Sequence, residues 1–270
     1  VSAPKLQRAT VMDNKFILIE WDKPLAGILK SYTLERSEDG FFWETLSEKD
    51  RTARSYEDFN VRVGEKSYTY RINATDSCEY TGPYSNIGKT IHLTADTSDL
   101  FPVLTWTPYE FWFEGVMSYE LQVKGWGDFQ TVVQIPKSAI PNPQSKISQV
   151  DSFFSITSKD YCYRVIAYRT GDSLQSVSNE VCIPTAFRLF VPNAFTPNND
   201  GINDMFMPMG IYIKEYQMQI YNRWGEKLFE SSDIHQGWDG KFKEEYCLAG
   251  VYYYQIIVKI IDQMLSDCTI

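Results

Sequence analysis

Hydrophobic and polar residues alternate in short runs over most of the chain, and turn-forming residues break the runs at close intervals. Phe16-Ile17-Leu18-Ile19-Glu20-Trp21 predicts a strand that stops at Asp22-Lys23-Pro24, because proline lacks the N–H that a central strand donates. Tyr32 to Arg36 alternates, Glu38-Asp39-Gly40 turns, and Phe42 to Leu46 returns as a hairpin partner that leaves Phe42 on the face opposite Phe41 and Trp43. From Lys66 to Thr75, Tyr68, Tyr70, Ile72 and Ala74 fall on one face, with Thr69, Arg71 and Asn73 on the other. Short alternating strands with frequent turns predict an antiparallel sandwich.

The pattern occurs twice. Tyr68-Thr69-Tyr70-Arg71-Ile72-Asn73-Ala74 matches Tyr161-Cys162-Tyr163-Arg164-Val165-Ile166-Ala167 at an offset of 93, and Ser85-Asn86 matches Ser178-Asn179 at the same offset. Upstream, Ile19-Glu20-Trp21 pairs with Leu104-Thr105-Trp106 at 85, and Ser31-Tyr32-Thr33-Leu34 with Ser118-Tyr119-Glu120-Leu121 at 87. Growing offsets are what loop insertions between repeated strands produce. Two tandem modules follow, over residues 1–95 and 96–185. With the early Trp (Trp21, Trp106), the middle Tyr (Tyr32, Tyr119) and the late Tyr-x-Tyr-Arg strand, they resemble the fibronectin type III family. That resemblance concerns fold and carries no function of its own.

Composition narrows the function classes. Hydrophobic residues make up 43% and charged residues 23%, the balance of a globular chain. The net charge of −9 argues against nucleic acid as a partner. Aromatics reach 15%, which suits pleated sheet surfaces. The longest late apolar run, Val251 to Ile261, is too short for a membrane span and contains Gln255 and Lys259. Val1-Ser2-Ala3-Pro4 has no basic-then-apolar leader, so the chain reads as a piece of something longer. The only two histidines, His92 and His235, come with no nucleophile elbow, Cys/His dyad or Rossmann glycine series. A non-enzymatic protein is expected.

No C-x-x-C occurs among the five cysteines. The turn Thr170-Gly171-Asp172-Ser173-Leu174 centres on Asp172, and Cys162 and Cys182 lie ten residues to either side. A symmetric hairpin sets them opposite each other, within disulfide reach, and the bond would place the protein outside the cytoplasm. Two buried thiols are the alternative, since a bulge would spoil the register. Cys78, Cys247 and Cys268 have no assignable partner.

Composition shifts at Pro184-Thr185-Ala186, and residues 186–270 do not repeat the earlier modules. They read as a third small antiparallel sandwich with Asn/Gly turns, making the chain an all-β series of three tandem Ig-like or fibronectin-like sandwiches. The series PNAFTPNNDGINDMF, IYNRWGEKLFES, GWDGKF and CLAGVYYYQI is similar to the gliding-motility-associated C-terminal domain of Bacteroidota, the type B sorting domain of type 9 secretion. Its motif falls here on Pro197, Asn198, Asp200, Gly201, Asn203, Asp204, Asn222, Trp224, Gly225, Gly237, Trp238, Asp239, Gly240, Gly250, Tyr252 and Tyr254. The resemblance implies transit through the periplasm and carriage by the outer-membrane translocon and its shuttle component. The destination is the cell surface or the medium, with a link to gliding motility or adhesion. Members of that family commonly end in a further strand with a basic residue, whereas this chain closes on Ile261 to Ile270; that strand is either short and divergent or incomplete here.

Several side-chain groups carry two readings. Asn198, Asp200, Asn203 and Asp204 surround Gly201 and offer the hard oxygens that Ca²⁺ takes. The same residues build Asx-turns by bonding their own backbone, the more economical reading. Phe111, Trp112, Phe113 and Trp126 form either a sugar- or peptide-binding platform or packing between modules, and packing is preferred. Trp224 and Trp238 are expected to fill the small C-terminal core. Beside the sorted surface protein stand two further functions: a glycan- or protein-binding fibronectin-like module, and the non-catalytic tail of a larger secreted enzyme.

Overall fold

A computed structural model describes residues 1–25, 28–97, 102–125, 127–139, 147–150, 160–184, 187–211 and 213–260, with residues 147–150 as backbone only. Regular structure among them is strand, apart from one 3-10 turn at Lys137–Ala139. The described residues group into two compact units, one running to Ile183 and one beginning at Pro184.

The first unit holds two sandwiches. In the first, β1 (Lys5–Met12), β2 (Phe16–Asp22) and β5 (Ser55–Asp58) form one sheet. The other sheet takes β3 (Leu29–Ser37), β4 (Glu44–Asp50), β6 (Thr69–Asp76) and β7 (Gly88–Lys89) in the order β4-β3-β6-β7. The second sandwich repeats the plan. Its smaller sheet is β8 (Leu93–Asp96), β9 (Val103–Trp106) and β12 (Ile147–Val150). Its larger sheet joins β10 (Val116–Lys124), β11 (Gln130–Pro136), β13 (Asp160–Arg169), β14 (Gln175–Val177) and β15 (Val181–Pro184). In each core the early Trp meets the middle Tyr edge-on, Trp21 to Tyr32 at 5.5 Å and Trp106 to Tyr119 at 6.1 Å.

The repeated Ser-Asn pair is a clasp between sheets. Ser85 Oγ accepts the Ile72 N–H at 3.1 Å, while the Asn86 amide accepts the Leu6 N–H at 3.0 Å and donates to the Leu6 carbonyl at 2.9 Å. In the second copy Ser178 Oγ accepts from Val165 at 2.9 Å. Asn179 accepts from Leu93 at 2.7 Å and donates back to it at 2.9 Å. One side-chain amide thus stands in for a ladder partner and ties the first strand of one sheet to the last strands of the other.

The two sandwiches also interlock along β1. Its free edge would invite pairing with another chain. Instead Tyr109 Oη accepts the Ala9 N–H at 3.2 Å, Ser176 Oγ donates to the Ala9 carbonyl at 2.8 Å, and Thr10 Oγ1 accepts the Val177 N–H at 2.8 Å. Trp112 donates its indole N–H to the Gln7 carbonyl at 2.6 Å and stacks on Tyr109 at 4.0 Å. Burial raises the Tyr109 phenol above its ordinary range.

Two local expectations need correction. The strand following the Glu38-Asp39-Gly40 turn begins at Glu44, and Phe41 and Phe42 both stand in solvent, 85% and 82% exposed. Asp39 causes this by accepting the N–H groups of Phe41 and Phe42 (2.8 and 2.9 Å), which prolongs the turn and ends the alternation. The β13–β14 register, Ile166 opposite Val177 and Tyr168 opposite Gln175, is one residue away from the Asp172-centred hairpin and would set Cys162 against Val181. Cys162 and Cys182 are nevertheless joined by a disulfide, from β13 to β15, a strand that pairs with β13 after the break that follows β14.

The second unit is built on a three-stranded sheet, β19-β18-β22, and two short pairs, β16 with β17 and β20 with β21. The strands are β16 (Arg188–Phe190), β17 (Met209–Ile211), β18 (Ile213–Tyr221), β19 (Lys227–Ser231), β20 (Lys241–Phe242), β21 (Glu245–Tyr246) and β22 (Tyr253–Ile260). Its buried core is Phe206, Tyr216, Met218, Ile220 and Trp238. Burial pushes the Tyr216 phenol up to about 12.

Candidate functional site

The motif residues of the second unit divide between those that hold it together and those that it presents. Trp238 is the anchor, buried between Phe195 at 5.5 Å and Tyr252 at 5.0 Å, with its indole N–H donated to the Lys241 carbonyl at 2.8 Å. Phe206 and Trp238 exchange backbone hydrogen bonds of 2.9 and 3.0 Å. Gly237 permits this approach, since a Cβ there would lie 2.9 Å from the Met207 Cβ. Asp239 accepts the Lys241 N–H at 3.0 Å, Gly240 packs under Pro197, and Tyr254 stacks on Phe206 at 5.4 Å.

The Asn198–Asp204 loop closes on itself. Asp204 accepts the N–H groups of Asn198 (3.0 Å) and Asn199 (2.6 Å) on Oδ1 and of Gly201 (2.8 Å) on Oδ2. Asp200 accepts from Ile202 at 2.8 Å and from the Asn198 amide at 2.9 Å, which holds its carboxyl below the usual range. The Asn203 carbonyl accepts from Thr196 at 2.8 Å. With both Asp204 oxygens turned inward onto backbone donors, the donor set as arranged does not fit a Ca²⁺ ion, which needs six to eight oxygens facing it. Among the described residues, no group of three or more His, Cys, Asp or Glu side chains converges as a metal site.

Trp224 contradicts its expected place in the core: it is 81% exposed. Asn222 Oδ1 accepts the N–H groups of Trp224 and Glu226, both at 3.0 Å, and Gly225, at φ +83°, lets the chain return into β19. The Trp224 side chain is therefore carried outward on a fixed turn. Arg223 beside it has its guanidinium 5.4 Å from the Trp224 ring and near Gly250, where a Cβ would lie 3.6 Å from it. Next to this turn, Leu248 (88% exposed) and Val251 (73% exposed) edge a cleft of about 650 Å³. Its walls come from residues 192–198 and 247–254, with Phe195, Phe206 and Trp238 below. Cys247 lies partly buried in that wall, its thiol pushed up by burial.

Arg223, Leu248, Val251 and Tyr253 were not singled out by the sequence. The available signal was turn chemistry: Asn-x-x-Gly caps its own turn, so the residues between are forced outward. On the opposite sheet face Glu230 accepts from Lys227, Gln219 and Gln217, and these bonds hold its carboxyl at about 2.

In the first unit Trp112 joins the sandwiches, whereas Phe111 and Phe113 are exposed and meet edge-on at 5.2 Å. The His92 ring bonds the Gly64 carbonyl at 3.1 Å. Cys78 is free and exposed. Trp126 and Cys268 lie outside the described residues.

Together these features define an all-β chain of tandem fibronectin-like sandwiches ending in a compact, turn-rich module. Residues 189–266 match the CHU_C Type IX secretion signal domain family. A search of curated proteins found no match. Among solved structures, the chain is similar to a two-domain fibronectin type III segment of chicken tenascin at 14% identity, covering 68% of this chain and 98% of that one, TM-score 0.26. It is similar to a β-1,2-glucanase from Parabacteroides distasonis at 28% identity over 32% of this chain, TM-score 0.28. It is similar to pectate lyase Pel3 from Pectobacterium carotovorum at 19% identity over 33% of this chain, TM-score 0.30. The chain spans only 12% and 26% of those two enzymes. The signal domain implies export across the outer membrane by type IX secretion, to the surface or the medium, and contact with the secretion machinery. No helix among the described residues is long and apolar enough to cross a membrane.

Proposed function

We propose that the protein is a non-enzymatic surface or released protein in which residues 187–260 are read by the outer-membrane type IX translocon and its shuttle, and the paired sandwiches are the displayed cargo. A role in gliding motility or adhesion is part of this reading. The observation that carries it is the family match over residues 189–266, reinforced by a module that fixes its motif residues with backbone-to-side-chain bonds. The polar groups buried in the first unit support a structural cargo. Asp58, for example, accepts from Arg36 at 2.8 Å and from Tyr70 at 3.0 Å. Expression of the full chain behind a periplasmic leader tests the reading in a type IX-competent host and its translocon-deficient mutant. Surface or medium delivery only in the competent host supports it; retention of folded protein in both overturns it.

Phe41 and Phe42 favour a second reading, a protein- or glycan-binding role for the cargo. Two exposed rings on a turn held by Asp39 form a ready contact for an apolar surface. If it holds, Phe41→Ser with Phe42→Ser abolishes attachment of exporting cells to their target surface without changing the amount exported.

A further inference from the structure

We propose that the end of the second unit carrying the start of β22 is a docking surface for a protein of the export machinery, with Arg223, Trp224, Leu248 and Val251 as its contacts. This rests on the sorting reading above and names the part of the module that is gripped.

Three features converge there. Tyr221 and Tyr253 are paired in the β18–β22 ladder, so the Asn222–Glu226 turn and the Leu248–Tyr252 segment leave the same end of the sheet. The Arg223 guanidinium near Gly250 bridges the two, making one continuous surface of them. The 650 Å³ cleft opens beside it, large enough to seat several side chains of a partner.

The exposure there is costly in water. Trp224, Leu248 and Val251 together leave large apolar side chains in solvent, and Trp224 stands on a turn that Asn222 holds. A held turn means that a partner loses little backbone entropy in ordering Trp224. Exposed Trp and Arg are also the side chains most enriched among residues that dominate binding energy.

Charge selects the occupant. Arg223 has no carboxylate partner among the described residues, although the chain carries a net charge of −9. A guanidinium left unpaired at the lip of an apolar cleft fits a protein that offers an apolar anchor for the cleft and an Asp or Glu for Arg223. The opposite face of the sheet lacks this character: Gln217, Gln219 and Lys227 bond Glu230 there and spend their polar groups on one another.

The test uses the full chain with a periplasmic leader in the competent host. Arg223→Glu combined with Leu248→Asp should lower export about tenfold or more, and Trp224→Ala alone should lower it severalfold. Ile257→Asp, at an exposed position on the other face (52% exposed), should leave export unchanged. Melting temperature of each purified variant checks folding. If the double variant melts early, Trp224→Ala decides the matter. Normal export of the folded Arg223 and Trp224 variants beside an exported parent overturns the docking surface and leaves the sorting reading intact. A parent that is not exported overturns the sorting reading itself. Equal loss with Ile257→Asp would also overturn the proposal, because the effect would then not belong to this end of the module.

Discussion

The two units solve the same packing problem in opposite ways. The first seals Tyr32, Tyr70, Trp106, Tyr119 and Tyr163 in two cores and covers the free edge of β1 through Ser176, Thr10 and Tyr109, and it leaves Phe41 and Phe42 in water only on a turn. The second has a small core around Trp238 and relies on turns clamped by Asp204, Asn222 and Asp239, while Trp224, Leu248 and Val251 remain in water. The lesson is that strand alternation seals cores, whereas side-chain-capped turns hold apolar residues in water. A covered strand edge discourages pairing with another chain, whereas apolar side chains left in water offer a contact.

The difference should be widest in alkali. Burial raises the phenols of Tyr70 and Tyr109 and holds those of Tyr119 and Tyr168 at about 12, against Tyr216 at about 12 in the buried core of the second unit. A raised phenol means that the folded state holds its proton more tightly than the unfolded chain. That stability is complete below pH 10 and drains as pH rises toward 12 and beyond. Methyl NMR signals of Ile72 and Val165 should therefore lose native shifts at lower pH than those of Met218. The reverse order would break the comparison.

Single side chains come next. Trp238→Ala should cost about 3–5 kcal/mol and unfold the second unit alone, because it removes the anchor and orphans the Lys241 carbonyl. Trp106→Ala should do the same to its own sandwich. Proteolysis mapped by mass spectrometry separates the two outcomes. Reducing the Cys162–Cys182 bond, which closes a separation of 20 residues, should destabilise the first unit by about 3 kcal/mol and leave the second untouched.

The clasps give a finer scale. Asn179→Ala should cost about 2 kcal/mol, because the Leu93 N–H and carbonyl lose their partner in a fully buried place. Asn86→Ala, half-buried, should cost about 1 kcal/mol. Asp204→Ala should cost about as little as Asn86→Ala, about 1 kcal/mol, with no response of the melting temperature to Ca²⁺ or chelator. A chelator-sensitive melt would return the loop to metal binding.

Much of this architecture is legible in the sequence alone. The offset repeats located both Trp–Tyr core pairs and the Tyr-x-Tyr-Arg strands, because two-residue alternation reports which face is buried. The Ser-Asn repeat was visible as a pattern but not as a clasp, since its partners Leu6 and Leu93 lie about 80 residues away in the chain. Trp224 misled for a simple reason: tryptophan is usually core, and only the cap that Asn222 provides reverses that preference. Phe42 failed similarly, where Asp39 replaced strand geometry with a longer turn. Local side-chain capping overrode the hydrophobic pattern at both places, and both ended as exposed aromatics.

The most direct measurement compares export of two chains behind one periplasmic leader in a type IX-competent host, one full length and one ending at Ile183. If the second unit is the signal, the full chain reaches the surface or medium, and the shorter chain accumulates folded and disulfide-bonded in the periplasm. Equal delivery of both chains would contradict the division of labour between the two units.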